Sequence, residues 1–113
     1  MDAELDPEDA KIITLARSAR ARSGAESGAA VRDTTGRTYA AVDVALPSLR
    51  LSALEVAVAM AVSSGAEGLE AAAVVSAAAE LSEAALAPAR DLKVGQVLLA
   101  DPSGRLTATY LTV

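Results

Sequence analysis

The chain has 113 residues and a formal net charge of −5 at pH 7, and it contains neither cysteine nor histidine. Without these residues disulfides and iron–sulfur clusters are excluded, and zinc, which thiolate and imidazole ligands usually hold, is not expected. The acidic balance also disfavours nucleic-acid binding, because a phosphate backbone attracts basic surfaces.

The N-terminal region is acidic and polar, so it does not predict a signal peptide, and no apolar run reaches the length of a membrane span. We expect a single cytoplasmic domain over residues 1–113, with residues 1–5 disordered and no membrane partner. A first helix is predicted from the N-cap Asp6 to about Ala21, with Gly24 as its stop.

Two antiparallel hairpins are predicted from turns with the same chemistry, which is Asp at the first position and Gly at the fourth. These turns are Asp33–Gly36 and Asp101–Gly104, and Pro47 ends the second strand of the first hairpin. The strands that the turns join are predicted over 27–32, 37–46, 94–100 and 105–112.

A second helix is predicted over residues 51–64, where Ser52 and Glu55 form a capping-box pattern. From residue 54 to residue 62 this helix is apolar nearly all round. Such a helix is buried on most sides, which favours a partner subunit in a chain of this size. We therefore expect a homo-oligomer, either a dimer or a tetramer.

The remaining elements are a buried strand over 69–76 and an alanine-rich third helix over 77–87. Because the strand follows a helix that follows a strand, a right-handed crossover and parallel pairing are expected. The predicted order is α-β-β-α-β-α-β-β, which is an α/β fold with a mixed five-stranded sheet.

Four stretches, 15–20, 28–37, 52–65 and 97–105, resemble in order and spacing the nucleoside-specific branch of the cytidine deaminases. The third stretch ends Ala61-Val62-Ser63-Ser64-Gly65, which is similar to the end of the family helix that begins Cys-Ala-Glu. The resemblance implies a three-layer cytidine deaminase-like fold and tetramers formed through helix faces.

The resemblance also implies a zinc ion at the N-termini of the second and third helices, held by cysteine or histidine. At these positions the chain has Ser52 for the first ligand, Leu54 for the proton-shuttling glutamate, and no thiol in 80–84. Asp43 stands where the family contacts the nucleoside with Asn-Val-Glu. Leucine cannot move a proton, and Glu55 lies about 100° further around the helix. We therefore predict no catalytic residue, no metal and no cofactor.

Asp43, Ser52, Leu54 and Glu55 are predicted to mark a vestigial pocket. Ser52 as a nucleophile would need a base beside it, so an N-cap role is favoured. Asp43 is either a retained hydroxyl-binding group or an outward-facing strand residue. The hypothesis is a catalytically inactive cytidine deaminase-like protein, not an enzyme, that acts as an oligomeric structural or regulatory interaction module with a possible protein partner. A non-catalytic nucleoside or small-molecule binder and a residual hydrolase or deaminase remain as alternatives.

Overall fold

The computed structural model describes residues 5–112 and contains three helices and seven strands in this part of the chain. Of the residues predicted to be disordered, 1–4 lie outside the described part, and Leu5 is half-buried against an apolar cluster. The elements are α1 Pro7–Ser23, β1 Ser27–Asp33, β2 Thr38–Val42, β3 Val44–Leu46, β4 Leu49–Leu51, α2 Ala53–Ser63, β5 Leu69–Ser76, α3 Glu83–Asp91, β6 Gln96–Ala100 and β7 Leu106–Leu111.

The main sheet has five strands in the order β2-β1-β5-β6-β7. Only β5 and β6 pair in parallel, while the other neighbours are antiparallel. The predicted mixed sheet of an α/β fold is therefore confirmed.

Side chains alternate across this sheet and form two apolar cores, which makes the architecture three-layered. The core on one face is covered by α2 and α3, and the core on the other face is covered by α1. Along β5 the alternation is visible as Ala72 and Val74 towards α2, and Ala71, Ala73 and Val75 towards α1.

The first helix is fixed to the sheet by close packing and by a polar network. Gly28 has no side chain, and a Cβ there would clash with the carbonyl oxygen of Ala16. The Arg32 guanidinium lies 3.0 Å from Asp9 Oδ1 and 2.8 Å from Glu70 Oε1. Burial opposes the charge on Arg32, but the hydrogen bonds to Glu70 and Asp9 outweigh burial and raise its pKa.

The prediction of one strand over 37–46 is wrong, because this segment is interrupted at Asp43, which separates β2 from β3. Asp43 Oδ1 accepts a hydrogen bond of 2.9 Å from the backbone N–H of Ser27, which fixes the break beside the start of β1. Beyond it, β3 pairs with β4 in a separate two-stranded sheet, with Pro47 in the connecting turn.

Parallel pairing was expected for the strands that α2 connects, and this expectation is wrong. β5 pairs with β1, and the pairing is antiparallel. The parallel neighbours are β5 and β6, which α3 connects. The third helix begins at Glu83 and not at residue 77. Ser76 Oγ accepts from the backbone N–H of Ala78 in a local turn, and Ser82 caps the helix. The high alanine content of residues 77–79 therefore led to a predicted helix start that is too early.

Candidate functional site

An open cleft of about 570 Å³ lies where α1 ends, where β2 gives way to β3 and where α2 begins. We call it the α2 cleft. Its charged lining residues are Glu26, Asp43 and Arg50. The lining residues are Gly24, Ala25, Glu26, Asp43, Val44, Ala45, Arg50, Leu51 and Ser52.

Asp43 is half-buried in this cleft and is held in place on one side only. Its Oδ1 atom accepts the hydrogen bond from Ser27 N–H at 2.9 Å. Its Oδ2 atom accepts none from the residues that the structure describes. A carboxylate with one anchored oxygen and one free oxygen is suited to accept a hydrogen bond from a ligand hydroxyl.

Ser52 lies at the cleft and is the N-cap of α2, as predicted. Its hydroxyl oxygen accepts from Glu55 N–H at 3.1 Å, and Glu55 Oε1 accepts from Ser52 N–H at 2.7 Å. This reciprocal pair confirms the capping box, although the helix starts at Ala53 and Leu51 belongs to β4. Because the Glu55 carboxylate turns back to the backbone, it does not line the cleft.

Leu54 points away from the cleft and into the core between the sheet, α2 and α3. Its exposed fraction is only 1%. The structure therefore brings Asp43 and Ser52 together at the cleft, while Leu54 is core and Glu55 is part of the helix cap. The vestigial role of these four residues remains a prediction.

Sequence reasoning missed Glu26 and Arg50 as cleft residues. Glu26 precedes β1, and Arg50 lies on β4 of the small hairpin. Once the break at Asp43 is known, the turn residues Pro47 and Ser48 are the signal that β4 returns towards α2. Without that break, the sequence showed no reason to place Arg50 at the cleft.

The residues present do not fit the zinc ion that the resemblance to cytidine deaminases implies. The whole chain lacks cysteine and histidine, which are the main protein ligands of zinc. Within residues 5–112 there is no group of three or more carboxylates close enough to hold a metal ion. Ser52 and Leu54, at the expected positions, are a cap and a core residue.

The three-layer arrangement, with a mixed sheet and a cleft at the start of α2, defines a cytidine deaminase-like fold. The family model with the description cytidine deaminase-like matches residues 5–104, and the chain belongs to this family. A search of curated proteins finds no match. Within the described residues, no helix is long and apolar enough to cross a membrane.

Solved structures with the same fold come from several bacteria. Cytidine deaminase from Burkholderia pseudomallei matches with a TM-score of 0.77 and 22% identity, over 90% of this chain and 91% of that one. The enzyme from Mycobacterium leprae matches with a TM-score of 0.68 and 18% identity, over 91% and 96%. A mutant cytidine deaminase from Mycobacterium tuberculosis has a TM-score of 0.68 and 23% identity, over 91% and 90%.

These matches contradict the prediction that the chain is not an enzyme. The structural neighbours are cytidine deaminases, and this chain keeps their fold over nine-tenths of its length. The prediction relied on missing zinc ligands and a missing glutamate, which concern one arrangement of catalytic groups.

Proposed function

We propose that this chain is a nucleoside-binding member of the cytidine deaminase-like family and that the α2 cleft is its ligand site. The observation that carries the proposal is Asp43, which lines the cleft and whose Oδ1 is anchored on Ser27, while Oδ2 has no hydrogen-bond partner among the described residues. A ribose hydroxyl is a donor of the kind that such a carboxylate accepts. The neighbouring structures with this fold are named for their action on cytidine.

The size and lining of the cleft support a nucleoside as the ligand. Its volume of about 570 Å³ is within the range of roughly 300–1,000 Å³ common for small-molecule sites. Apolar surface for a base is supplied by Val44, Ala45 and Leu51, while polar groups stand beside it. Neither tyrosine lines the cleft, so base stacking worth about 1–3 kcal/mol is missing and we expect modest affinity.

The proposal is tested by calorimetric titration of the purified chain with cytidine, deoxycytidine, uridine and free cytosine. We expect the nucleosides to bind and cytosine to bind much more weakly, because cytosine lacks the hydroxyls that Asp43 would accept. Chromatography and an ammonia assay on the same mixtures show whether the bound ligand is converted. No binding by any nucleoside would refute the proposed site.

Variants at Asp43 separate a specific contact from general binding. Asp43→Asn keeps an oxygen for Ser27 N–H but removes the charge, so we expect roughly ten-fold weaker nucleoside binding with unchanged thermal stability. Asp91→Asn is the matched control, because Asp91 is an exposed residue at the end of α3. Equal affinity in the two variants would contradict the role of Asp43.

We also propose that the chain forms a homo-oligomer, a dimer or tetramer. Support comes from apolar side chains that one copy leaves open to water, namely Met60 and Val62 on α2 and Leu46 and Leu49 on the small hairpin. Their exposed fractions are 40%, 50%, 52% and 47%. Exposed apolar groups of this kind favour association. Light scattering should give a mass of more than one copy for the wild-type chain. Val62→Lys should lower this measured mass. A monomeric wild-type chain would refute the proposal.

A further inference from the structure

We infer that an apolar plug replaces metal ligation at the starts of α2 and α3, so that the fold and the α2 cleft form without a metal ion. The plug consists of Leu54, Leu81, Leu86 and the ring of Tyr110. This inference is independent of the proposed nucleoside binding, because it concerns what holds the two helices in place.

The first part of the argument is that both helix starts contribute apolar side chains to one core. Leu54 is in the first turn of α2, and Leu86 is in the first turns of α3. Their exposed fractions are 1% and 0%, and both belong to the cluster between the sheet and these helices. Leu81, which precedes the N-cap of α3, and Tyr110 of β7 pack against the same cluster. A charged ligand set in this position would have to displace buried apolar groups, which is costly.

The second part is that Tyr110 fixes the chain just before α3. The backbone N–H of Leu81 donates a hydrogen bond of 2.9 Å to the Tyr110 hydroxyl oxygen. Directly after it, Ser82 Oγ accepts from Ala85 N–H at 3.1 Å and caps the helix. The position of α3 is thus set from β7 by a protein hydrogen bond, and no ion is required to hold it.

The third part is that the acidic groups in the first turns of α2 and α3 are already used. Glu55 accepts from the Ser52 backbone at 2.7 Å. Glu83 Oε1 lies 2.7 Å from Arg90 Nη1. Each carboxylate thus keeps at most one uncommitted oxygen, and with no thiolate or imidazole in the chain these oxygens are too few to form a zinc site.

Metal analysis and thermal unfolding test the inference on the full chain, purified without a metal-affinity column. We expect only traces of zinc, and a melting temperature that changes by less than about 1 °C when a chelator or excess zinc is added. A zinc ion that binds the folded chain at a hundred times its dissociation constant would raise the melting temperature by roughly 10 °C or more. Stoichiometric zinc, or a marked loss of stability with chelator, would overturn the inference.

The role of Tyr110 is tested by Tyr110→Phe, which keeps the ring in the plug and removes only the hydroxyl. Hydrogen exchange followed by NMR should become roughly five- to ten-fold faster at the Leu81 amide, with or without chelator. Tyr39→Phe is the matched control, because the Tyr39 hydroxyl donates to Asp33 and should leave exchange at Leu81 unchanged. Unchanged exchange at Leu81 in Tyr110→Phe would overturn the assignment. Nucleoside titration of the chelator-treated wild type is read separately, since a failure to bind concerns the proposed function and not the plug.

Discussion

The turns Asp33–Arg37 and Asp101–Arg105 have the same pattern of internal hydrogen bonds but lie in different surroundings. In each, the aspartate Oδ1 accepts from the backbone N–H and the hydroxyl of the residue two positions on, and from the arginine N–H four positions on. Gly36 and Gly104 adopt nearly equal positive φ angles, 89° and 91°. The same five-residue chemistry therefore builds the same turn in the β1–β2 hairpin and in the β6–β7 hairpin.

The surroundings differ because one turn is enclosed and the other is not. Asp33 is 2% exposed, and its second oxygen, Oδ2, accepts from the Tyr39 hydroxyl at 3.1 Å. Asp101 is less buried, and its turn contacts α1 through Arg17, whose Nε donates to the Pro102 carbonyl oxygen at 3.2 Å. Local sequence thus sets the conformation of a turn. The tertiary neighbours set how much the turn contributes to the free energy of unfolding.

The largest expected effect is that of Asp33→Ala. This substitution removes Oδ1, which accepts from two backbone N–H groups, and Oδ2, which accepts from the Tyr39 hydroxyl. Because these donors lie in a buried place, we expect a loss of about 3 kcal/mol in the free energy of unfolding. Asp101→Ala should cost clearly less, because water can replace the carboxylate at a more open turn. Urea unfolding followed by circular dichroism measures both, and equal losses would break the comparison.

The glycines of the two turns should behave alike, in contrast to the aspartates. Gly36→Ala places a Cβ in open space, and Gly104→Ala places one 3.5 Å from Arg17 Cδ, an ordinary contact. The cost in each case is the positive φ angle, about 1–2 kcal/mol for a residue with a Cβ. The same urea experiment checks this, and a much larger loss at one glycine would show that the turns are not conformationally equivalent.

Features that depend on neighbours in sequence were predictable for this chain. Both hairpin turns, the Ser52–Glu55 capping box and the Gly24 helix stop follow from a few adjacent residues, and all are present. The order of the three helices and of the five strands of the main sheet followed from the same local signals.

Features that depend on distant contacts were not predictable. The break at Asp43 depends on the Ser27 N–H, sixteen residues away, and without it the small β3–β4 sheet could not be inferred. For the same reason Arg50 was missed at the cleft. The insertion of β1 between β2 and β5 is likewise set by the sheet as a whole.

The smallest effect should appear in the pH dependence of stability, and it sharpens the comparison of the two aspartates. Burial would raise the pKa of Asp33, but hydrogen bonds from Thr35, Arg37 and Tyr39 outweigh burial and hold its pKa below the ordinary value of 3.8. Hydrogen bonds from Ser103 and Arg105 lower the pKa of Asp101 as well. Since the folded chain binds these protons less readily than the unfolded chain, each carboxylate stabilises the fold fully above the ordinary value. That contribution is lost as pH falls through the lowered pKa.

Asp33→Asn and Asp101→Asn should therefore each flatten the fall in melting temperature between about pH 5 and pH 2. Thermal unfolding across this range measures the slope for the wild type and the two variants. A slope that stays steep in Asp33→Asn would mean that other carboxylates carry the acid sensitivity. Since protonation of Asp33 must break bonds inside a closed turn, whereas water reaches Asp101 more easily, the flattening should be greater for Asp33→Asn. A reversed order would show that the open turn, and not the enclosed one, controls how the fold responds to acid.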